Sequence, residues 1–224
     1  GKCVRLTEGD FNRKKVYDEH PLEVAVKFES LGFKRLHIVD LDGAKAGEIK
    51  NLKVLEEIAS ATRLKIDFGG GIKNLQSAQR VIEAGATWCT IGSMAVKDSE
   101  ELENIIRYLG VEKLIIGADV KDEKIMVSGW LEKTEINLFD FLENMLKKNL
   151  RQVFCTDIAK DGLLQGPSTK LYEKITAKYP ELYFIASGGV SNMKNIEELK
   201  KVNCKAAIVG KAIYENRISL HELA

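Results

Sequence analysis

At 224 residues, 45% hydrophobic and 30% charged, the chain has the composition of an ordinary globular protein, long enough for one sizeable core or two small ones. A formal net charge of +1 with basic and acidic residues interspersed gives no electrostatic basis for a nucleic-acid or anionic-membrane partner. No stretch approaches the roughly eighteen apolar residues of a membrane-crossing helix, and Gly1-Lys2-Cys3-Val4-Arg5 does not read as a signal peptide. Cys3, Cys89, Cys155 and Cys204 are widely spaced, and the last three lie in or beside apolar strand-like runs. Reduced, buried thiols in a cytoplasmic protein are expected, with no metal site.

Taken in order, the chain alternates strand and helix. Lys2 to Leu6 reads as a short strand and Thr7 to Tyr17 as a polar loop; Pro21 opens an amphipathic helix through Leu31, stopped by Gly32. Leu36-His37-Ile38-Val39-Asp40-Leu41 is a nearly continuous apolar strand ending in an acid, followed by a loop from Asp42 to Lys50 and a helix from Asn51 to Ala61. Strands follow at Lys65 to Phe68, Thr87 to Ile91 and Leu114 to Asp119, with helices at Leu75 to Ala84 and Glu100 to Leu109. A small strand at Lys124 to Val127 lies within a loop, and a helix runs from Leu138 to Lys147. Strands at Gln152 to Thr156, Tyr183 to Ala186 and Ala206 to Val209 alternate with helices at Thr169 to Tyr179 and Met193 to Lys201.

Seven short hydrophobic strands separated by helices, with no Rossmann glycine fingerprint, predict an α/β fold with a parallel sheet covered on both faces. The sequence also repeats itself. Ile66-Asp67-Phe68-Gly69-Gly70-Gly71-Ile72-Lys73-Asn74 has the form of Phe184-Ile185-Ala186-Ser187-Gly188-Gly189-Val190-Ser191-Asn192, and Gly70 and Gly188 stand 118 residues apart. The next strand of each half, Cys89-Thr90-Ile91-Gly92-Ser93 and Ala207-Ile208-Val209-Gly210-Lys211, repeats at the same offset of 118. Two paired signals at one offset indicate an internal duplication. A (β/α)8 TIM barrel of two half-barrel repeats, about 1–110 and 111–224 of a single domain, is therefore expected over an open sheet. Two units of 118 residues would need twelve residues more than the 224 present. That difference is about one strand, so the first barrel strand and a counterpart of Asp119 are expected upstream of Gly1.

In a barrel of this kind the chemistry sits at the carboxyl ends of the strands. Asp40, Asp119, Thr156 and Asp157 occupy such ends, with Asp161-Gly162 just beyond. A strand-end acid serves equally well as a helix cap or turn former. Asp119 is the strongest functional candidate, because it ends a run too apolar to hold a carboxylate casually. The glycine pairs admit a close-approaching anion at a helix start, though a Gly-Gly pair is as often a plain turn. Trp130 offers a stacking surface or a packing residue. His37, inside a strand, is expected to be a satisfied core histidine.

These residues carry a resemblance. Gly1 to Leu6 with Gly9-Asp10, Leu36 to Ala44, Asp67 to Ile72, Ile91-Gly92-Ser93, Gly117 to Val120, Thr156 to Gly162, Ala186 to Val190 and Val209 to Ala212 together resemble the histidine-biosynthesis isomerase family that acts on phosphoribosylformimino-aminoimidazole carboxamide ribotide (ProFAR). The likeness runs from the first residue to Arg217-Ile218-Ser219-Leu220. It implies a half-barrel duplication and a small substrate with a phosphate at each end. The implied reaction is an aldose-ketose isomerisation, an Amadori rearrangement without metal or organic cofactor. The resemblance makes Asp119 the proton donor and Thr156 a catalytic neighbour, with a general-base aspartate on the first strand, which has no position in this sequence. It assigns substrate contacts to Arg5, Asp40, Gly70, Gly71, Ser93, Trp130, Asp161, Gly162, Ser187, Gly188, Gly189, Gly210 and Lys211. A cytoplasmic monomer is expected. The alternatives are the sister imidazole-glycerol-phosphate cyclase, an isomerase that also serves tryptophan synthesis, and a non-catalytic phosphosugar-binding barrel.

Overall fold

The computed structural model describes residues 1–7, 10–17 and 20–224. Gly9, part of the resemblance above, lies outside them. By internal contacts the chain forms two compact units, Gly1–Arg5 with Lys15–Ile116 and Ala224, and Leu6–Lys14 with Gly117–Leu223.

Near the start, β1 (Val4–Thr7) and β2 (Asp10–Val16) pair with each other. The first unit continues with α1 (Pro21–Ser30), β3 (Arg35–Val39), α2 (Leu41–Ala46), α3 (Leu52–Ala61), β4 (Lys65–Gly69), α4 (Leu75–Glu83), β5 (Trp88–Ile91), α5 (Ser93–Lys97) and α6 (Ser99–Leu109). A 3-10 turn at Val111–Lys113 leads into β6 (Leu114–Lys121), which starts in the first unit and ends in the second. The order β3-β4-β5-β6 is parallel throughout, with Asp67 opposite both His37 and Trp88. Ile66, Phe68, Cys89 and Ile91 are fully buried, as are Leu55, Ala78, Val81, Leu102 and Ile105 from α3, α4 and α6. With Ile58, 2% exposed, each of the three helices buries two positions three residues apart, the spacing that turns one helical stripe toward a sheet. Each large aliphatic side chain so buried stabilises the fold by about 1.5–3 kcal/mol.

The second unit begins, after the end of β6, with the antiparallel strands β7 (Lys124–Val127) and β8 (Glu132–Asn137). There follow α7 (Leu138–Lys147), β9 (Gln152–Asp157), α8 (Thr169–Lys178), β10 (Tyr183–Ser187), α9 (Met193–Lys201), β11 (Ala206–Ile208), α10 (Lys211–Tyr214) and α11 (Leu220–Leu223). Here the order is β6-β9-β10-β11, and the pairs β9-β10 and β10-β11 are parallel. Tyr172 of α8 is fully buried, and its hydroxyl donates to the carbonyls of Ser187 at 2.6 Å and Cys155 at 3.2 Å. One side chain thereby joins α8 to the ends of two strands. Both units are runs of parallel βα elements of the kind that build a (β/α)8 barrel, the fold class read from the sequence.

Several stretches depart from that reading, among them the short helices α5, α10 and α11. The polar loop from Thr7 to Tyr17 contains β2, and β8 lies in a stretch read without structure. Both strands are mostly polar, so the apolar alternation that reveals a half-buried strand is missing. The strand read through Leu41 ends at Val39, and α2, capped by Asp40 and ended by Gly47 at φ +75°, starts at Leu41 and runs into the stretch from Asp42 to Lys50 read as a loop. No helix among the described residues is long and apolar enough to cross a membrane.

Candidate active site

Each unit presents the same glycine construction at its strand ends. After β4, Gly70 and Gly71 have φ of +99° and +80°; after β10, Gly188 and Gly189 have +86° and +80°. Side chains are excluded by backbone. A Cβ on Gly71 would stand 2.5 Å from the carbonyl carbon of Glu48, and one on Gly189 would stand 2.4 Å from the carbonyl oxygen of Gly166. A capping asparagine follows in both. Asn74 Oδ1 accepts the Ser77 N–H at 2.9 Å, and Asn192 Oδ1 accepts the Asn195 N–H at 3.1 Å, which starts α4 and α9. The second glycine of each half, Gly92 or Gly210, precedes a short helix, and a Cβ there would meet nothing within 4 Å. Ser93 and Lys211 take the first position of those helices.

The two halves are not identical. The N–H of Leu75, first in α4, already donates to Glu101 Oε1 at 2.6 Å. An anion in the first unit is therefore better served by Gly70, Gly71 and Ser93 than by the start of α4.

The acids separate by environment. Asp40, 2% exposed, accepts from the N–H of Gly43 and the side chain of Asn51 on one oxygen, and from the N–H groups of Lys50 and Asn51 on the other. Its four donors lie 2.7–2.8 Å away and belong to the loop that it organises. His37 is satisfied, as expected, but half-buried rather than in the core: its Nδ1 pairs closely with Asp67, which also accepts from Thr90 Oγ1 at 3.0 Å. The role of Asp67 was not read from the sequence, although an acid between Ile66 and Phe68 signals a buried partner. Arg5 lies half-buried on β1.

In the second unit Asp119, half-buried on β6, accepts the indole N–H of Trp130 at 2.8 Å. Trp130 reaches it from a turn in which Ser128, Gly129 and Trp130 all have positive φ, of 57°, 65° and 72°. That conformation is costly for the two non-glycine residues. Beside this strand, the N–H of Ile158 donates to the carbonyl of Val120 at 3.0 Å, which sets the ends of β6 and β9 side by side. Burial pushes the Cys155 thiol well up, and the charges of Asp119 and Asp157 add to the rise.

Thr156 is 4% exposed, and its Cγ2 lies 3.4 Å from where a Cβ on Gly188 would stand, with the Cα of Asp161 at 3.5 Å from the same point. Asp157 is engaged locally, accepting from the Ala159 N–H at 3.1 Å and, at close range, from the Ser168 hydroxyl. No sequence signal pointed to Ser168. Lys211 Nζ donates to the carbonyl of Gly162 at 2.5 Å. Ser187 is 8% exposed and gives its carbonyl to Tyr172. The second unit thus gathers Thr156, Asp157, Asp161, Gly162, Gly188 and Lys211 around one strand end. Among the described residues, no group of three His, Cys, Asp or Glu is arranged to hold a metal ion. A surface groove of about 640 Å³ lined by Leu52, Glu56, Arg80 and Glu83 lies between α3 and α4, among the helices rather than at the strand ends.

Parallel βα units with a duplicated glycine construction and carboxylates at the strand ends define a protein of the (β/α)8-barrel class. The chain belongs to the histidine biosynthesis protein family, whose family model matches residues 1–219. It is 52% identical to a protein of Flavobacterium johnsoniae and to one of Parabacteroides distasonis, in each case over 100% of this chain and 93% of the relative. A protein of Cytophaga hutchinsonii is 46% identical over the same shares. All three carry the name of the imidazole-4-carboxamide isomerase that acts on the bis-phosphoribosyl compound ProFAR.

Proposed function

We propose that this protein is an aldose-ketose isomerase of histidine biosynthesis that converts ProFAR to its ribulosyl isomer. The observation that carries the reading is the likeness, at about half identity and over the whole chain, to proteins named for that reaction. The paired glycine constructions support it, since each suits one phosphate and the substrate has two.

The reaction needs a proton donor and a proton acceptor. The donor protonates the furanose ring oxygen, and the ring opens to a protonated Schiff base. The acceptor then takes the proton from the neighbouring carbon to give an enaminol, which tautomerises to the aminoketose. No electrons leave the substrate, so proton transfer alone balances the step. Asp119 takes the donor role in this reading, with Thr156 as a further catalytic residue and Asp161 as a substrate contact. By the family resemblance, the acceptor role falls to a first-strand aspartate, which has no position in these 224 residues. Trp130 leaves Asp119 to stack on the imidazole carboxamide, Arg5 contacts substrate, and Ser93 and Lys211 complete the phosphate sites. The protein works as a cytoplasmic monomer without cofactor.

Steady-state kinetics of Asp119→Asn and Asp161→Asn test the assignment. Asp119→Asn is expected to lower kcat about a thousandfold or more while KM stays within about tenfold, the mark of a group that acts in the transition state. A large loss in Asp161→Asn with Asp119→Asn near wild type would transfer the donor role to Asp161.

A further inference from the structure

Lys211 is the first residue of α10, directly after Gly210. Its Nζ reaches the carbonyl of Gly162, 49 positions away, at 2.5 Å, and stands 3.9 Å from Glu215 Oε1. The carbonyl belongs to a tight turn. The N–H groups of Lys160 and Asp161 donate to the carbonyl of Asp157 at 2.9 and 3.2 Å, the N–H of Leu163 donates to the carbonyl of Lys160 at 3.3 Å, and Gly162 has φ of +68°. On its other side the turn packs on the glycine pair, with Asp161 Cα 3.5 Å from the Cβ position of Gly188. The Asp161 turn is therefore held between Gly188 and the ammonium of Lys211, the two elements read as the second unit's phosphate site.

An ammonium has three N–H donors. One is spent on Gly162, and 3.9 Å to Glu215 is too long for a hydrogen bond. A phosphate oxygen can accept from Lys211 without displacing the Gly162 carbonyl. We propose that Lys211 is a positioning residue that transmits occupancy of this phosphate site to Asp161. A bound phosphate fixes the ammonium, the ammonium fixes the Gly162 carbonyl, and the turn carrying Asp161 stiffens. The inference rests on the phosphate-site reading above and goes beyond it, because a lysine that merely anchored phosphate would leave the turn unaffected.

Amide hydrogen exchange at Lys160, Asp161 and Leu163, measured with and without inorganic phosphate and paired with calorimetry of phosphate binding, tests it. Phosphate is expected to slow these amides about tenfold in the wild type and in Glu215→Gln. In Lys211→Met they should exchange faster from the outset and show no slowing. Lys211→Arg, which keeps a donor and guards against misfolding of the methionine variant, should retain the response. Phosphate that binds the wild type without slowing the turn, or slows it equally in Lys211→Met, overturns the inference and leaves the phosphate site standing. Failure of phosphate to bind the wild type overturns both. In turnover, Lys211→Met should lower kcat about tenfold at saturating substrate as well as raise KM; a change in KM alone marks a plain anchor and overturns the inference.

Discussion

At the scale of single residues, the strand-end acids show how one sequence position type divides into different roles. Asp40 and Asp119 both end apolar strands, yet Asp40 has four donors from its own loop while Asp119 has the indole of a distant turn. The sequence reveals the position of such an acid but not its partners, because Asn51 and Trp130 lie eleven residues along the chain and reach back only once the loops are folded. Asp40→Ala leaves several N–H groups of Gly43, Lys50 and Asn51 without their acceptor. It should cost about 2–4 kcal/mol, read as a lowered denaturant midpoint with an unchanged slope; a loss under 0.5 kcal/mol would mean that water replaces the carboxylate.

The thiols belong to the same scale. Burial pushes Cys89 up to about 12, against a smaller opposing pull from Lys113, and Cys204 up to about 11; Cys155 also rises well above the ordinary range. A raised thiol pKa means less thiolate, so at pH 8 only about one thiol in a thousand or fewer is reactive at Cys89 and Cys204. Iodoacetamide should label half-buried Cys3 first, and the rates at Cys89 and Cys204 should climb about tenfold per pH unit through pH 10. Peptide mapping with Cys155 labelled as fast as Cys3 would contradict its burial.

At the scale of elements, the helices were legible because burial of one face imposes a period of about 3.6, and the parallel strands because burial on both faces makes them short, continuous apolar runs. Helix α9 begins and ends where its pattern does, at Met193 and Lys201. Strands β2 and β8 were not legible because their pairing is carried by backbone hydrogen bonds that Asp10–Val16 and Glu132–Asn137 make without apolar alternation. The short helices α2, α5 and α10 escaped as well, since four to six residues span less than two turns and leave no periodic trace. The glycine pairs were readable as close-approach points, and their neighbours emerged only in the fold. Gly70→Ala would put a Cβ 2.2 Å from the carbonyl oxygen of Asp40 at a φ of +99°. It should destabilise by more than about 2 kcal/mol, since overpacking adds to backbone strain, whereas Gly129→Ala, with nothing within 4 Å, carries the strain alone and should lose about 1 kcal/mol.

At the scale of the whole molecule, the duplication seen in the sequence persists in detail. The first and last residues of β4 and β10 differ by 118, as do those of α4 and α9 and the capping residues Asn74 and Asn192. Even the backbone that excludes a side chain repeats: Glu48 against Gly71 and Gly166 against Gly189 stand at the same offset. The first positions of α5 and α10 have diverged within this frame, Ser93 in one unit and Lys211 in the other. If each construction binds one phosphate by itself, inorganic phosphate should titrate to two sites per chain, with the lysine-bearing site the tighter, since an ammonium adds a charge-assisted bond that a hydroxyl does not. A carboxylate placed at either position repels the anion locally. Ser93→Asp should remove the weaker site and Lys211→Asp the tighter one, each leaving a stoichiometry of one by calorimetry. Loss of both sites in a single variant, or of neither, would show that the repeat preserves the backbone without preserving two independent anion sites.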